Sequence, residues 1–145
     1  MKLSTKLRYG LGFLLDVGLH GGGEGNPVTL KDVARRRKVS DKYLWQLVTP
    51  LKSAGIVSAT PGVNGGYLLT RPMGQISLRD LVETLEGLPF QSSPAERKKD
   101  RGEVDDAAWR LVSDRFSKIL ESISLESLVN QERMRQAAQA ADYCI

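Results

Sequence analysis

The sequence feature that most constrains the fold lies in residues 29–70, where two helical patterns flank a tight turn and precede two strand-like runs. Thr29 can cap a short helix, and Asp32 can reach back to complete a capping box. The turn Val39-Ser40-Asp41 follows, and Ser40 can cap another helix whose apolar positions recur at helical spacing to about residue 53. Pro50 lies inside that helix and predicts a kink or a distorted last turn there. This pattern indicates a helix-turn-helix.

The strand-like runs are residues 56–60 and 67–70, and they predict a β-hairpin. Asn64-Gly65 lies between them and is a strong hairpin signal, because both residue types tolerate positive φ. A first helix is predicted over residues 4–20, and further helices over 77–87, 105–123 and 124–142. The order is that of a winged helix-turn-helix, so the predicted class is mainly α with a small β-hairpin wing (α+β).

The predicted organisation has three parts along the 145 residues. Residues 1–87 form the winged helix-turn-helix domain, and residues 88–104, which are polar and contain Pro89 and Pro94, form a loop. Residues 105–145 form a long dimerisation helix followed by a C-terminal helical segment. The chain is too short for a barrel enzyme or for a complete dinucleotide-binding fold.

Positive charge is concentrated in the predicted helix-turn-helix and wing. Residues 29–72 hold eight Lys or Arg and two Asp or Glu, although the whole chain carries a net charge of only +4. A basic run of this kind is often a solvated helix face, but beside a helix-turn-helix it favours a surface that binds phosphate. We therefore expect double-stranded DNA as the partner.

The helix after Ser40 is expected to enter the major groove, and the wing to reach the adjacent minor groove or backbone. Ser40 and Lys42 suit phosphate, Lys42 also suits guanine, and Gln46 suits a base edge. Ser40 could instead be only a cap, and Tyr43 only a core residue; Trp45 is interpreted as a packed side chain rather than a subunit contact. The candidate DNA-binding residues are Lys2, Lys6, Thr29, Arg36, Ser40, Lys42, Tyr43, Gln46, Asn64, Gly65 and Gly66.

The chain has a single cysteine, Cys144, and a single histidine, His20. One cysteine cannot make an internal disulfide, and the pair cannot supply the four ligands of a structural zinc site. No paired nucleophile and base or other catalytic set is visible, so catalysis is not expected. No apolar run approaches the length of a membrane span, and a cytoplasmic protein that does not contact membranes is expected.

At this point the sequence resembles the bacterial regulator family that includes IscR, NsrR and CymR, also called the Rrf-two family. The resemblance is close over residues 1–88 and covers the long helix in outline. The segments that carry it, in order, are residues 1–6 (MKLSTK), 28–34 (VTLKDVA), 39–44 (VSDKYL), 51–57 (LKSAGIV), 65–67 (GGY) and 76–78 (ISL). The resemblance implies a homodimeric winged-helix transcription regulator, expected to act as a repressor on a palindromic operator.

Many members of that family carry an iron–sulfur cluster on three cysteines in the loop that corresponds to residues 88–106 here. This sequence has no Cys and no His in that loop, and Ser92, Ser93, Glu96 and Asp100 are poor substitutes for thiolates. The chain therefore resembles the cluster-free branch, without a cofactor and with a small molecule or a protein as its effector. The wing also departs from the family, because Thr60 and Val63-Asn64 stand where a basic residue is common.

The predicted long helix carries apolar residues at the spacing of a coiled-coil seam. They are Trp109, Val112, Phe116, Ile119 and Ile123. Additional apolar residues outside this stripe, such as Leu111, indicate a helix with two contacts, one of them a second copy of the chain. An alternative remains open, in which the protein is an interaction module of the same fold that has lost DNA binding.

Overall fold

The computed structural model describes residues 2–90 and 103–144. The residues form six α-helices, one antiparallel hairpin and a short 3₁₀ turn at Met73–Gln75 within those ranges. The helices are α1 (Thr5–Leu19), α2 (Leu30–Arg37), α3 (Asp41–Ser53), α4 (Leu78–Leu85), α5 (Glu103–Glu121) and α6 (Leu125–Asp142), and the strands are β1 (Val57–Thr60) and β2 (Gly66–Leu69). The predicted mainly α class with a small wing is confirmed. No helix among the described residues is both long and apolar enough to cross a bilayer.

Hydroxyl side chains fix where five of the helices begin. In each case the hydroxyl oxygen accepts a hydrogen bond from the backbone N–H three residues later, over 3.1–3.2 Å. These caps are Ser4, Thr29, Ser40, Ser77 and Ser124. The capping box expected at Thr29 occurs instead at Ser77, whose N–H donates to Asp80 Oδ2 over 2.9 Å. Asp32 pairs with Arg35 at 3.1 Å.

The core is centred on α1, whose Phe13 and Val17 are fully buried. Phe13 meets Tyr67 of β2 edge to face, with ring centroids 5.9 Å apart, so the base of the hairpin packs on the same core. Leu125 and Val129 of α6 belong to this core as well. The segment after Ser124 is therefore built onto the same core as α1 and the hairpin instead of standing apart from it.

Gly18 on α1 explains how closely α6 can approach. A Cβ at this position would lie 2.9 Å from a methyl carbon of Val129 and 3.0 Å from the sulfur of Met73. Such distances are too short for carbon atoms, so a side chain at residue 18 would push α6 away. The glycine lowers helix propensity but permits the packing of α1 on α6.

The wing has the predicted hairpin, but the conformational reason predicted for it is wrong. Positive φ occurs at Gly62 (+100°) and Gly66 (+152°), and Asn64 does not have a positive φ. The loop between β1 and β2 is closed by Gly65 N–H donating to the carbonyl of Gly62 over 3.0 Å. A Cβ at Gly66 would lie 2.7 Å from the backbone of Val28, which pairs with Tyr67. The second glycine therefore serves this close backbone contact.

α5 starts two residues before its predicted beginning and ends at Glu121, also two residues early. Ile123, predicted to lie on the helical stripe, therefore lies beyond the helix. Its carbonyl accepts a hydrogen bond from Leu78 N–H over 2.8 Å, which ties the α5–α6 connection to the start of α4. The predicted loop over residues 88–104 falls mostly on residues 91–102, outside the described part of the chain.

A buried carboxylate joins α1 to α2. The Asp16 side chain is 2% exposed, and Arg36 binds it through Nη2 at 2.6 Å and through Nε at 3.1 and 3.2 Å. Arg37 Nε lies 3.5 Å from the same carboxylate. Hydrogen bonding to Asp16 raises the pKa of Arg36, so this guanidinium stays charged in the folded protein.

We expect Arg36→Ala to lower the free energy of unfolding by about 2–4 kcal/mol, because it removes the main partner of a buried carboxylate. Arg35→Ala is the matched control, since Arg35 is exposed and pairs with a partly exposed Asp32. The control should cost at most about 0.5 kcal/mol. Urea denaturation followed by circular dichroism measures both changes. Equal losses in the two variants would contradict a structural role for the Asp16–Arg36 pair.

Candidate nucleic-acid interface

The turn between α2 and α3 is short and well defined. Lys38 adopts the left-handed conformation (φ 54°, ψ 46°) and ends α2, with its N–H donating to the carbonyl of Ala34. Val39 N–H donates to the same carbonyl over 3.1 Å. Ser40 then caps α3, so two residues separate the end of one helix from the cap of the next. This geometry is the helix-turn-helix that the sequence predicts.

α3 has one buried face and one exposed face. Leu44, Leu47, Val48 and Leu51 form the buried face and belong to the core. The exposed face contains Asp41, Lys42, Trp45, Gln46 and Thr49. α3 continues through Pro50 for three residues, so the proline does not end the helix. The exposed face therefore continues past the proline, with Lys52 and Ser53 also exposed at the end of α3.

The predicted residues on α3 have different environments. Lys42 and Gln46 are exposed, and their polar ends are available to a ligand. Ser40 is exposed and acts as the cap, accepting from Tyr43 N–H over 3.2 Å. Tyr43 is half-buried and meets Tyr9 edge to face at 5.5 Å, so it belongs partly to the core. The interpretation of Trp45 as a packed side chain is wrong, because 58% of it is exposed.

The predicted residues outside α3 also divide into exposed and structural positions. Lys2 and Lys6 are exposed at the start of the chain and on α1. Thr29 is half-buried, and its hydroxyl accepts from Asp32 N–H over 3.1 Å. The guanidinium of Arg36 is occupied by Asp16, as described above. For this reason the structure offers a structural role for Arg36 in place of the expected phosphate contact.

At the wing tip, the side chains of Val63 and Asn64 are exposed, as are those of Thr60 and Pro61 beside them. Val63 is fully exposed at the tip, which sequence analysis did not single out as a candidate contact. Gly65 is buried, and a Cβ there would collide with the backbone at Thr60 and Pro61. Gly65 and Gly66 therefore shape the wing, and their contact with DNA stays a prediction.

α5 presents a largely apolar surface to solvent. Trp109, Val112 and Ile119 of the predicted stripe are exposed, together with Leu111. Phe116 is half-buried under Phe90, whose ring meets it edge to face at 5.8 Å and stacks on Trp109 at 5.5 Å. A groove is lined by Leu111, Val112, Arg115, Phe116 and Ile119. Sequence analysis did not find Phe90, because it lies in the segment predicted to be a polar loop.

The neighbouring face of α5 is narrow and packs inward. Ser113 and Ser117 are buried, and Ser113 Oγ donates to the carbonyl of Pro89 over 3.3 Å. Leu120, one turn further, is also buried. The small serines allow this face of α5 to approach the rest of its own chain, and the apolar surface described above stays exposed beside it.

Potential metal ligands do not come together in the described residues. No group of three or more His, Cys, Asp or Glu side chains there has the geometry to hold a metal ion. Cys144 is exposed near the C-terminus, and His20 Nε2 lies 4.0 Å from Asp16 Oδ2. The only cysteine and the only histidine of the sequence therefore lie in different parts of the structure.

Comparisons with known proteins agree with this architecture. The family described as "Rrf2: Iron-dependent Transcriptional regulator" matches residues 3–131. The regulator CymR of Bacillus subtilis is 37% identical over 139 residues, covering 95% of this chain and 96% of CymR. IscR of Xenorhabdus nematophila is 36% identical over 146 residues, covering 98% of this chain and 87% of IscR. Both are named HTH-type transcriptional regulators.

Solved structures give the same result. The structure of CymR, the global cysteine regulator of B. subtilis, superposes with a TM-score of 0.71 at 32% identity, covering 90% of this chain and 98% of that one. The structure of IscR from T. potens gives a TM-score of 0.71 at 34% identity, covering 94% and 91%. The match at residues 3–131 includes the helix-turn-helix, the wing and all of α5. The chain therefore belongs to the Rrf2 family, and it is a DNA-binding transcription regulator and not an enzyme.

Proposed function

We propose that the protein is a homodimeric, sequence-specific regulator that binds a palindromic operator and represses transcription without an iron–sulfur cluster. The observation that carries this proposal is the exposed face of α3, where Lys42 and Gln46 stand free of the core beside a capped helix start. A helix of this width enters the major groove with its N-terminal side chains foremost. Repression is proposed because a dimer bound over a promoter excludes RNA polymerase without any additional domain.

The exposed side chains are suited by their chemistry to different groups of the DNA. The Lys42 ammonium group can neutralise a phosphate or donate to guanine, and the Gln46 amide can donate to and accept from adenine in a bidentate pair. Lys2 and Lys6, both exposed, add sequence-independent attraction to the backbone. Asn64 at the wing tip supplies a polar group to the minor groove. Arg36 is left out of this set because it holds Asp16.

The homodimer is proposed to form through the apolar surface of α5. Four large apolar side chains are exposed on it, and a contiguous apolar surface of this kind marks an interface. A two-fold axis would place this surface against its copy, so that each groove receives side chains of the partner. The stacked ring of Phe90 widens the surface beside Trp109. Two copies of α3 would then face two half-sites of a palindrome.

The family description mentions iron, but the ligands present in this chain do not fit a cluster. Clusters are held by several cysteine thiolates, with histidine as an occasional substitute. The sequence has one cysteine and one histidine, and His20 lies beside the buried Asp16 while Cys144 is exposed just after the end of α6. We therefore propose a cluster-free regulator, whose signal is a small molecule or a protein. Its place of action is the cytoplasm, where bacterial chromosomal DNA is.

A second function is kept because of the wing. Val63 occupies the wing tip, where a cation would strengthen DNA binding, and it is fully exposed. This favours, as the alternative, an interaction module of the same fold with weak or lost DNA binding. A gel-shift assay against the DNA upstream of its own gene, at two salt concentrations, separates the alternatives. Specific, salt-dependent binding supports the regulator, and its absence supports the interaction module.

For the DNA contact, we expect Lys42→Ala to weaken binding to all sequences and to flatten its salt dependence. The slope of log affinity against log salt should fall by about 0.9 for each lost phosphate contact, and so by nearly two for a dimer. Arg133→Ala on α6 is the control for loss of one exposed positive charge. An unchanged slope for Lys42→Ala, or an equal change in the control, would show that Lys42 does not contact phosphate.

For the dimer, we expect Ile119→Glu to give folded monomers. Ile119 is 59% exposed in the single chain, so glutamate is tolerated there, but an unpaired charge buried in the interface costs several kcal/mol. Met134→Glu makes the same kind of change at a side chain of α6 that is 73% exposed, and it should leave the dimer intact. Sedimentation or light scattering measures the mass. Dissociation by Met134→Glu alone would place the interface on α6.

For the cofactor, we expect no stoichiometric iron after anaerobic reconstitution with iron and sulfide. The physical reason is the shortage of thiolate ligands in the sequence. Iron analysis and visible absorption are the measurements, and Cys144→Ser is the control for adventitious binding at the exposed thiol. Stoichiometric iron with a thiolate-to-iron charge-transfer band that disappears in Cys144→Ser would contradict the cluster-free proposal and indicate a site shared between subunits, whereas a substoichiometric signal lost in the same variant is adventitious binding.

A further inference from the structure

An indole ring stands on the face of α3 that is proposed to enter the major groove. Trp45 is 58% exposed, and on the helix it lies one turn after Lys42 and next to Gln46, both of which are exposed. The core side of α3 is completed by other residues, including the fully buried Leu44 and Leu47. Trp45 is therefore not needed to fill the core, and more than half of its surface is open to solvent in the single chain.

Thr49, one turn after Trp45, has its hydroxyl group occupied within the helix. Thr49 Oγ1 donates to the backbone carbonyl of Trp45 over 2.9 Å, so its hydroxyl is turned back onto the helix. The middle of the exposed face thus offers an apolar surface, with a cation and an amide beside it. In the major groove, the base edges present hydrogen-bond donors and acceptors and one apolar group, the 5-methyl of thymine.

We propose that Trp45 is a specificity-determining residue that packs against a thymine 5-methyl group, next to the bases contacted by Lys42 and Gln46. This inference rests on the proposed function, because it requires α3 to lie in the major groove. The argument is one of matched chemistry: the indole loses contact with water only if an apolar group covers it, and thymine supplies the one such group in that groove. The half-site therefore contains a thymine that no hydrogen bond from this chain needs to identify.

The test removes the methyl group alone. Duplexes are first selected from a random 30-base-pair library with the wild-type protein, and each thymine of the selected site is then replaced singly by deoxyuridine, which keeps the base pair. At one thymine per half-site, affinity for the wild type should fall about fourfold, the loss expected for one methyl-sized group withdrawn from apolar contact. Trp45→Ala should bind the unmodified duplex more weakly and should not respond to deoxyuridine at that position.

Two further variants test whether the response to deoxyuridine comes from Trp45 alone. Gln46→Ala should lose discrimination at a neighbouring base pair but still respond to deoxyuridine at the thymine assigned to Trp45. Trp45→Leu, which keeps an apolar side chain, should keep part of the methyl response and guards against loss of folding in Trp45→Ala. Circular dichroism and urea denaturation compare the stability of each variant with that of the wild type. Because Trp45 is exposed, we expect the free energy of unfolding to be the same in the Trp45 variants as in the wild type.

Each contrary outcome has a distinct meaning. If the wild type responds to deoxyuridine at no position, or Trp45→Ala still responds, the thymine contact is disproved while DNA binding through α3 stands. If Trp45→Ala weakens binding to every duplex equally and no methyl effect exists, the indole packs on sugar and phosphate instead. If no duplex is selected at all, the proposed function fails and the inference fails with it.

Discussion

The ion pair between Asp16 and Arg36 is the interaction on which the DNA-binding half of the protein depends. It joins the central helix α1 to α2, and α2 in turn sets the start of α3 through the turn at Lys38 and Val39. A carboxylate that is only 2% exposed lowers the stability of the fold if it loses its charged partners. The ion pair therefore fixes the position of α2 relative to α1. Arg37 reinforces the same carboxylate at 3.5 Å. Two cations of the basic run are thereby engaged by a carboxylate of their own chain.

Much of the fold could be predicted because its signals are local. Serine and threonine caps mark where helices begin, and apolar spacing identifies the faces they bury, so each predicted helix exists within about two residues of its expected bounds. The hairpin was also predictable, but the positions of its positive φ values were not. The one at Gly66 lies where the backbone of Val28 comes close, a contact between distant parts of the chain. Local rules do not contain that information.

The candidate site was harder to predict, because it depends on which side chains the core leaves exposed. Arg36 and Lys42 look alike in the sequence, yet Asp16, twenty residues before Arg36, engages one and leaves the other in solvent. Trp45 was expected to pack because tryptophan usually buries surface, but Leu44 and Leu47 already fill that side of α3. Phe90 was missed because a single aromatic residue beside a polar segment carries no periodic signal. Its partner Trp109 is 19 residues away in the sequence.

The connection between α5 and α6 has a mechanical consequence. Leu78 N–H donates to the carbonyl of Ile123 over 2.8 Å, and Leu125 N–H donates to that of Ile76 over 2.7 Å, so the C-terminal end of α5 is clamped to the DNA-binding domain. The 19 residues of α5 extend about 28 Å from that clamp. A rotation of about 10° at the clamped end would move the other end by about 5 Å, more than the 3.4 Å rise of one base pair. In a dimer held through α5, a signal would therefore need only a small tilt to bring the two half-sites out of register.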